Sequence, residues 1–415
     1  MKVLGIIAEY NPFHNGHLYH LRKSVNITGA SHVMAIMSGN FLQRGEAALI
    51  NKWARAEMAV RSGIDLVIEL PFVYSCRSAE AFAHGAVSIL DKCGAVDCIC
   101  FGSETGNLDR LSYIAEVLSN EPEEFRSLLK AHLDKGLSFP AARAKALEGC
   151  LSDNGFNVGK LLSNPNNVLS LEYLKALKSF GSSIKPYTIK RIAAHYNDTA
   201  IKSPIASATA IRKHILGTGQ LAQSVESAIP NTTRDILEKE FSIGRGPVTD
   251  KAFSSLIVSQ IRRASAQELS SVPDVAEGLE FAIIDAARKK ATTQEMLRLV
   301  KSKRYTLTRL KRILVYILLD INSELFSKTV DEGYPGYARV LAFNRKGRQI
   351  LRRMASSACI PVITKMARHN IPEGFLTHRM LEKDVLATDL YVLGYPNHRA
   401  AFAGQDYVTS PVYLP

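Results

Sequence analysis

The chain of 415 residues is 46% hydrophobic and 22% charged, which is typical of a folded, soluble protein with two or three domains. The longest apolar run of the C-terminal half, residues 313–319, is far shorter than the ~20 residues of a membrane span. No secretory signal is recognised, and the six cysteines lack the paired spacing of a zinc site. We therefore expect a cytoplasmic protein with reduced cysteines and no membrane contact.

The formal net charge of +13 is concentrated in the second half of the chain. Residues 1–200 carry 21 basic and 19 acidic side chains, whereas the other 215 residues carry 31 and 20. Basic side chains are densest in residues 298–314 and 344–354. A basic cluster can be a solvated helix face, but an imbalance confined to one half favours a polyanion such as nucleic acid as its partner.

Strand-like and helix-like segments alternate along the first part of the chain. Apolar segments at residues 2–10, 31–39, 64–71 and 95–104 predict four strands, and helical spacing lies between them. This alternation indicates a doubly wound α/β fold, in which helices cover both faces of a parallel sheet. Ligands bind such sheets at the carboxyl ends of the strands. Three unusual segments follow strands there: NPFHNGH, GNFLQRGE and GSETG.

The remainder of the sequence predicts a second, basic domain. A fifth strand is predicted at residues 185–192, and from about residue 223 onward the pattern is mainly helical. We expect residues 1–222 to form the sheet-containing domain and residues 223–415 to form a mainly α-helical domain.

The segment NPFHNGH turns sharply after the first strand and enters a helix, which places His14 and His17 near the helix N-terminus. Free N–H groups and the positive end of the helix dipole favour an anion there. Two imidazoles can donate hydrogen bonds to phosphate oxygens, and Gly16 leaves room for a nucleotide to approach the backbone. The segment therefore predicts phosphate chemistry by positioning and electrostatics.

Two other interpretations of this segment stay open. Asn15 and Gly16 could form a hairpin turn, although the helical pattern that follows disfavours it. His14, His17 and His20 could bind a metal, although no carboxylate or cysteine lies among them to complete a ligand set. The short His-x-Gly-His pattern also arises by chance, so its position after the first strand is what makes it informative.

Five segments, in order, resemble the bacterial tRNA(Met) cytidine acetate ligases. They are GIIAEYNPFHNGHLYHL, MSGNFLQRGE, FGSE, NPNNVLSLEYLKAL and SATAIR, and the resemblance runs over the whole chain. HNGH is similar to the HxGH signature of nucleotidyltransferases that share the α/β fold of class I aminoacyl-tRNA synthetases. SATAIR is similar to their second signature, a Ser/Thr–x–Ile–Arg segment that opens a helix and holds the triphosphate. The family often has proline where this chain has Ala47.

The resemblance implies an ATP-dependent ligase with an HxGH nucleotidyltransferase-like domain at residues 1–222 and a tRNA-binding domain at residues 223–415. Acetate would attack the α-phosphate of ATP to give acetyl-adenylate and pyrophosphate. The acetyl group would then pass to N4 of the wobble cytidine of elongator tRNA(Met). Mg²⁺ is expected to enter with ATP. The sequence does not identify the carboxylate pocket or the oligomeric state.

By the same resemblance, His14 and His17 stabilise the α-phosphate in the transition state. Asn167 could equally be a helix N-cap, and Arg191 and Arg212 could be ordinary surface residues, although a triphosphate needs cations. The resemblance assigns ATP binding to Ile7, Ala8, Glu9, Tyr10, Asn11, Pro12, Phe13, His14, Asn15, Gly16, His17, Leu18, Tyr19, His20, Gly102, Asn167, Arg191, Ile192, Thr209 and Arg212.

Two clusters of basic residues predict the tRNA-binding surface, because contacts with phosphates give affinity without sequence selectivity. The first basic patch is Lys301, Lys303, Arg304, Arg309, Lys311 and Arg312, and the second basic patch is Arg345, Lys346, Arg348, Arg352 and Arg353. Arg44 and Lys52 are further candidates for pyrophosphate or tRNA contact. Bases are read by stacking, for which the candidates are Tyr334, Tyr337, Phe343 and Tyr391, unless these are core aromatics.

Two other functions stay open on the sequence. A small-molecule adenylyltransferase would use the same phosphate-binding segments, but the large basic half argues against it. A non-catalytic RNA-binding protein would need only the fold, but the intact HNGH and SATAIR segments argue against that.

Overall fold

A computed structural model gives the fold and describes residues 1–137, 139–151, 158–192, 201, 204–218, 221–302, 304–333, 336–369 and 375–415. The strands are β1 (Val3–Ala8), β2 (His32–Ser38), β3 (Leu66–Leu70), β4 (Cys98–Ser103), β5 (Lys185–Lys190), β6 (Ala338–Asn344), β7 (Val362–Ile363) and β8 (Val412–Leu414). Within this part of the chain, no helix combines the length and the apolar character needed to cross a membrane.

The helices of the first half surround the sheet. They are α1 (Asn15–Thr28), α2 (Lys52–Arg61), α3 (Phe72–Ser75), α4 (Ala79–Lys92), α5 (Leu108–Asn120), α6 (Glu123–Asp134), α7 (Phe139–Cys150), α8 (Val158–Leu162), α9 (Pro165–Ser179) and α10 (Ala208–Thr218). The helices of the second half are α11 (Gln223–Glu226), α12 (Asn231–Ser242), α13 (Ser254–Arg263), α14 (Ala266–Ser270), α15 (Leu279–Lys289), α16 (Thr293–Val300), α17 (Leu307–Leu318), α18 (Ser323–Asp331), α19 (Arg345–Ser357), α20 (Leu376–Tyr391) and α21 (Gln405–Val408).

The described strands form one sheet in the order β5-β4-β1-β2-β3-β6-β7, with β8 paired to β6. Strands β1 to β5 are parallel to one another, and each of them coincides with a strand that the sequence predicts. The predicted α/β fold with a parallel sheet is therefore confirmed.

Strand β2 shows why the sheet is covered on both faces. All seven of its residues are buried. Met34 and Ile36 belong to one apolar cluster, whereas Ala35 and Met37 belong to a second cluster. Because successive side chains of a strand point to opposite faces, a strand buried on both faces has a continuous apolar sequence. This burial fixes the parallel strands with their carboxyl ends along one edge of the sheet.

Helices predominate in residues 223–415, but β6, β7 and β8 also lie there and extend the sheet of the first half. Strand β6 is antiparallel to β3, with Leu66 opposite Phe343 and Glu69 opposite Arg339. Its apolar sequence, ARVLAFN, covers the outer edge of β3, which would otherwise leave backbone hydrogen-bonding groups unpaired. The division of the chain at residue 222 stays a prediction.

A buried ionic cluster joins the two halves beside β3 and β6. The Nζ atom of Lys52 lies 2.9 Å from Glu69 Oε1 and 2.8 Å from Asp406 Oδ1. Arg339 pairs with the same two carboxylates, at 3.3 Å from Glu69 Oε2. All four side chains are almost completely buried. Since an isolated buried charge is very costly, the four side chains are buried together, and each half of the chain supplies one cation and one carboxylate to the cluster.

Candidate active site

A cavity of about 530 Å³ opens at the carboxyl edge of the parallel strands. Its wall is formed by the segment between β1 and α1 with the start of α1, the loop between β2 and α2, the start of α4, the ends of β4 and β5, residues 162–173 of α8 and α9, and the start of α10. This is the edge where parallel α/β sheets bind ligands, and the volume lies within the usual range for small-molecule sites.

His14 and His17 are held by the backbone of their own turn. His14 is the N-cap residue of α1, and its Nδ1 accepts a hydrogen bond from the Gly16 N–H at 3.0 Å. The Nδ1 of His17 accepts one from the His14 N–H at 3.3 Å, and the two rings stack with centroids 3.8 Å apart. A ring nitrogen that accepts a hydrogen bond carries no proton, so in each neutral ring the proton lies on Nε2.

The electrostatics of the cavity keep these imidazoles neutral. Burial, with the charges of Arg191 and Arg212, lowers the pKa of His14 to about 3. Burial likewise lowers the pKa of His17 well below its usual value and that of His20 to about 4. His14 and His17 are therefore neutral Nε2–H donors beside two cations, which suits hydrogen bonding to phosphate oxygens.

The structure explains why residue 16 is a glycine, and the explanation differs from the one that the sequence suggested. A Cβ atom at this position would lie 2.8 Å from Cε1 and 2.9 Å from Nδ1 of His14. The missing side chain therefore admits the ring of His14 itself. Gly102, at the end of β4, is similarly close to Arg191, whose Cγ would lie 3.1 Å from a Cβ there.

Arg212 and Glu46 bring the SATAIR helix to the loop after β2. Arg212 donates to the carbonyl of Asn11 at 3.0 Å, and its other guanidinium nitrogen lies 3.3 Å from Glu46 Oε2. The hydroxyl of Ser207 accepts from the Ala210 N–H at 3.1 Å, so the first turn of α10 is partly capped. Thr209 lies on this first turn and lines the cavity, where the helix N-terminus adds a positive field.

Arg55 supports the segments that form the cavity, and sequence reasoning missed it. Its side chain is fully buried and donates to the carbonyls of Glu9 at 2.6 Å, Ser38 at 3.0 Å and Ile50 at 3.2 Å, and also to Gly39. It thereby ties the carboxyl end of β1 to that of β2. The only available signal was its position between Ala54 and Ala56 in the helical sequence KWARAEMAV, and a buried arginine there must have several acceptors.

Most of the residues assigned to ATP binding by resemblance line the cavity. Those that do not are Pro12, Phe13, Asn15, Leu18 and Asn167. The residues that do are Ile7, Ala8, Glu9, Tyr10, Asn11, His14, Gly16, His17, Tyr19, His20, Gly102, Arg191, Ile192, Thr209 and Arg212. The cavity is also lined by residues that the sequence did not single out, among them Gln43, Glu46, Phe82, Phe101 and Tyr173.

Asn167 holds the loop that follows β4. Its Oδ1 accepts from the backbone N–H groups of Glu104 at 2.9 Å and Thr105 at 3.2 Å, and its Nδ2 donates to Leu161. The alternative of a helix N-cap does not apply, because the N-cap of α9 is Asn164, whereas the assignment of Asn167 to ATP binding stays a prediction. The position of this buried amide makes it a support of the cavity wall.

The first basic patch lies beside the cavity, and part of its charge is already neutralised. Lys311 is 2.8 Å from Glu46 Oε1 and 3.5 Å from Asp250. The other pairs involve the loop that precedes α15: Arg309 donates to the carbonyl of Asp274, Arg312 is 3.5 Å from the Asp274 carboxylate, and Arg304 pairs with Glu277. Lys301 is exposed, and Lys303 lies outside the described residues.

The second basic patch lies at the opposite edge of the sheet. Lys346 donates to the carbonyl of Ser31, which precedes β2, and Arg353 is 3.1 Å from Asp97, which precedes β4. Both contacts are therefore at the amino ends of parallel strands, whereas the cavity is at their carboxyl ends. The exposed members of this patch are Arg345, Lys346, Arg348 and Arg352.

Burial excludes several of the further candidates for contact with pyrophosphate or tRNA. Lys52 is enclosed in the ionic cluster beside β3, so it is not exposed to pyrophosphate or tRNA, whereas Arg44 lines the cavity. Tyr337 and Tyr391 are fully buried core residues and do not present a ring to a base. Phe343 packs on Tyr413 with centroids 5.1 Å apart. Tyr334 lies outside the described residues.

A metal site built from the three histidines is not seen. The part of the chain that the structure describes contains no group of three His, Cys, Asp or Glu side chains placed to hold a metal ion. The Nδ1 atoms of His14 and His17 already accept backbone hydrogen bonds.

The fold and the neutral histidine pair indicate the class of protein to which the chain belongs. Residues 1–406 match the sequence model of the HIGH Nucleotidyl Transferase family, and the chain belongs to that family. Among curated relatives it is similar to the tRNA(Met) cytidine acetate ligases of two bacteria. It is 48% identical to that of Alkaliphilus metalliredigens, over 100% of this chain and 99% of the relative, and 45% identical to that of Thermoanaerobacter sp. strain X514, over 98% of each.

Solved structures agree with these relatives. The apo crystal structure of Thermotoga maritima TmcAL is 36% identical to this chain and matches it with a TM-score of 0.95. The structure of the same protein bound with alpha-thio ATP matches with a TM-score of 0.92, and in both cases all of each chain is covered.

Proposed function

We propose that the chain is an ATP-dependent ligase that activates acetate as acetyl-adenylate and transfers the acetyl group to N4 of the wobble cytidine of elongator tRNA(Met). The observation that carries this function is the pair of neutral Nε2–H donors, His14 and His17, in a cavity that also contains Arg191 and Arg212. The names of the curated relatives, at 45–48% identity over almost the whole chain, support the choice of acetate and tRNA.

The chemistry follows from this arrangement. A carboxylate oxygen attacks the α-phosphorus of ATP, the bond to the bridging oxygen of pyrophosphate breaks, and the developing charge spreads over the phosphate oxygens. His14 and His17 donate hydrogen bonds from Nε2–H to those oxygens in their neutral form, and Arg212 balances the charge of the triphosphate. Since Mg²⁺ keeps several waters and binds largely through nucleotide phosphates, we infer that it enters with ATP.

The first basic patch and the cavity share one edge of the sheet, which supports a tRNA that binds α17 while its wobble base enters the cavity. Thr308, within α17, itself lines the cavity. We propose that the reaction takes place in the cytoplasm, where these substrates would be met.

The first experiment is ATP–pyrophosphate exchange with a panel of small carboxylates, followed by acetylation of bulk tRNA. We expect exchange that is selective for acetate and, with tRNA present, N4-acetylcytidine. No exchange from folded protein that binds ATP would contradict the proposal, and exchange with a phosphorylated small molecule instead would favour a small-molecule adenylyltransferase.

His14→Ala tests the role of the imidazole pair. We expect acetate-dependent exchange to fall by about 10²–10³-fold, because one preorganised donor to the transition state is lost. Binding of tRNA, measured by filter retention, should change little. The matched control is His132→Ala, since His132 lies on α6 and does not line the cavity. Equal exchange rates in the two variants would rule out this mechanism.

A further inference from the structure

Two carboxyl groups line the described cavity, and they differ in what they contact. Glu46 is engaged on both oxygens, by Arg212 at 3.3 Å and by Lys311 at 2.8 Å. Burial opposes its ionisation, but Lys311 and Arg212 outweigh burial and hold the pKa of Glu46 below its ordinary value. Glu46 is therefore an ionised partner of cations and is poorly suited to accept a proton.

Glu9 has an oxygen that remains available. Its Oε1 accepts a hydrogen bond from the Gln43 N–H at 2.9 Å, and Oε2 has no hydrogen bond to a described residue. The backbone of Glu9 is fixed by Arg55, which donates to its carbonyl at 2.6 Å. The carboxyl group is therefore held in place on the cavity wall with one acceptor oxygen unused.

The surroundings of Glu9 make it a better base than an ordinary carboxylate. Burial raises the pKa of Glu9, against the lowering effects of the Gln43 N–H, Arg212 and Arg55. The other groups that face it are Glu46 and the ring of Tyr173, which stays protonated because burial also raises its pKa. A carboxylate with a raised pKa takes up a proton more readily near neutral pH.

The other ionisable groups of the cavity are less suited to accept a proton. His14 and His17 use Nδ1 as an acceptor of backbone N–H groups and carry their proton on Nε2. Arg191 and Arg212 are cations and cannot accept a proton. His20 is the remaining candidate, but its ring lies against Gly102, with Cδ2 3.5 Å from where a Cβ would be, on the side of β4.

We propose that Glu9 is the proton acceptor for the attacking amine in the second half-reaction. The inference rests on the proposed function. The N4 lone pair attacks the carbonyl carbon of acetyl-adenylate and forms the C–N bond. The bond between that carbon and the phosphate oxygen breaks, and AMP leaves with the electron pair. One N4 proton passes to Oε2 of Glu9 and from there to water, which completes the amide and restores the carboxylate.

The test separates the two half-reactions in the full-length protein. Acetate activation is measured by ATP–pyrophosphate exchange, and transfer is measured by single-turnover acetylation of tRNA from added acetyl-adenylate. For Glu9→Gln we expect transfer to fall by about 10²–10³-fold, at least about tenfold more than exchange, as for the loss of a general base. His20→Gln is the matched variant, in which no such split is expected.

Three results would overturn the inference. They are equal losses of exchange and transfer in Glu9→Gln, normal transfer in that variant, and a larger transfer defect in His20→Gln. A pH profile gives a second measurement, because wild-type transfer should rise with pH as Glu9 ionises, and Glu9→Gln should lack this limb. If the wild-type protein itself shows no acetate-dependent exchange, the proposed function fails, independently of the variants.

Discussion

The turn that carries His14 and His17 fixes the tautomer of both imidazole rings. The backbone N–H groups of Gly16 and His14 occupy the Nδ1 atoms, and burial together with the charge of Arg191 lowers the pKa of both rings, so both are neutral. Neutral imidazoles of fixed tautomer need no proton transfer before they donate to a phosphate. The same low pKa has a consequence for stability.

We expect the free energy of unfolding to fall as the pH is lowered from 7 towards 5. Folded His14 has a pKa of about 3, whereas an unfolded histidine has a pKa of about 6.5, so below pH 6.5 only the unfolded chain gains the proton. This site alone should lower the free energy of unfolding by about 2 kcal/mol between pH 7 and pH 5. Urea unfolding at the two pH values measures it.

His14→Gln is the control for this pH dependence, because glutamine does not titrate. The variant should lose about 2 kcal/mol less than the wild-type protein over the same pH interval. An equal loss in both proteins would mean that His14 is protonated in the folded state.

At this scale, the sequence predicted the residue types of the cavity better than their contacts. The HNGH and SATAIR motifs specify residue types in a fixed order, and three residues of these motifs, His14, His17 and Arg212, line the cavity. Gly16 was predicted to make room for a nucleotide, whereas it makes room for the ring of His14. Arg55 and Glu9 depend on carbonyls and an N–H group from other segments, and a one-dimensional pattern does not contain such contacts.

Helix α17 carries Arg309, Lys311 and Arg312 of the first basic patch, and α19 carries the second basic patch near the opposite edge of the sheet. Lys311 reaches Glu46 near the carboxyl ends of the strands, whereas Arg353 reaches Asp97 before β4. The helical character of both segments was evident from their sequences. Their positions were not, because they depend on how β6 pairs with β3.

Charge reversal in each patch should therefore have unequal effects on tRNA binding. We expect Lys301→Glu with Arg304→Glu to weaken binding about tenfold at 0.1 M salt and to reduce its salt dependence, since phosphate contacts would be lost beside the cavity. The matched variant, Arg345→Glu with Arg348→Glu, should weaken binding less than about threefold. Titrations at several salt concentrations measure both.

Pyrophosphate exchange in the same proteins separates loss of tRNA binding from loss of the ATP site. A defect in the second pair as large as that in the first would show that the tRNA contacts both edges of the sheet.

For the whole molecule, four of the five parallel strands were predicted from apolar segments that alternate with helices, and the fifth from the segment at residues 185–192. Strand β6 was not predicted, although its sequence is equally apolar, because it lies between two helical, basic stretches. Its partner, β3, is remote in the sequence, and no local pattern specifies a pairing over such a distance.

Residues 1–222 expressed alone should not form a stable ATP-binding unit. The fragment lacks β6, which covers the edge of β3, and it lacks Arg339 and Asp406, which complete the buried ionic cluster around Lys52 and Glu69. We expect no cooperative thermal unfolding by circular dichroism and no ATP binding by calorimetry. Cooperative unfolding together with ATP binding would instead support an independent domain, and the full chain is the control.

The pairing of β3 with β6 also affects when the protein can fold during its synthesis. About 270 residues separate the two strands, so at ~5–20 residues per second a ribosome needs on the order of 10 to 50 s to deliver β6 after β3. Throughout that interval the nascent chain carries an uncovered strand edge of the kind that recruits other chains. The edge of β3, in the sheet that frames the nucleotide cavity, is covered only when translation has passed residue 344.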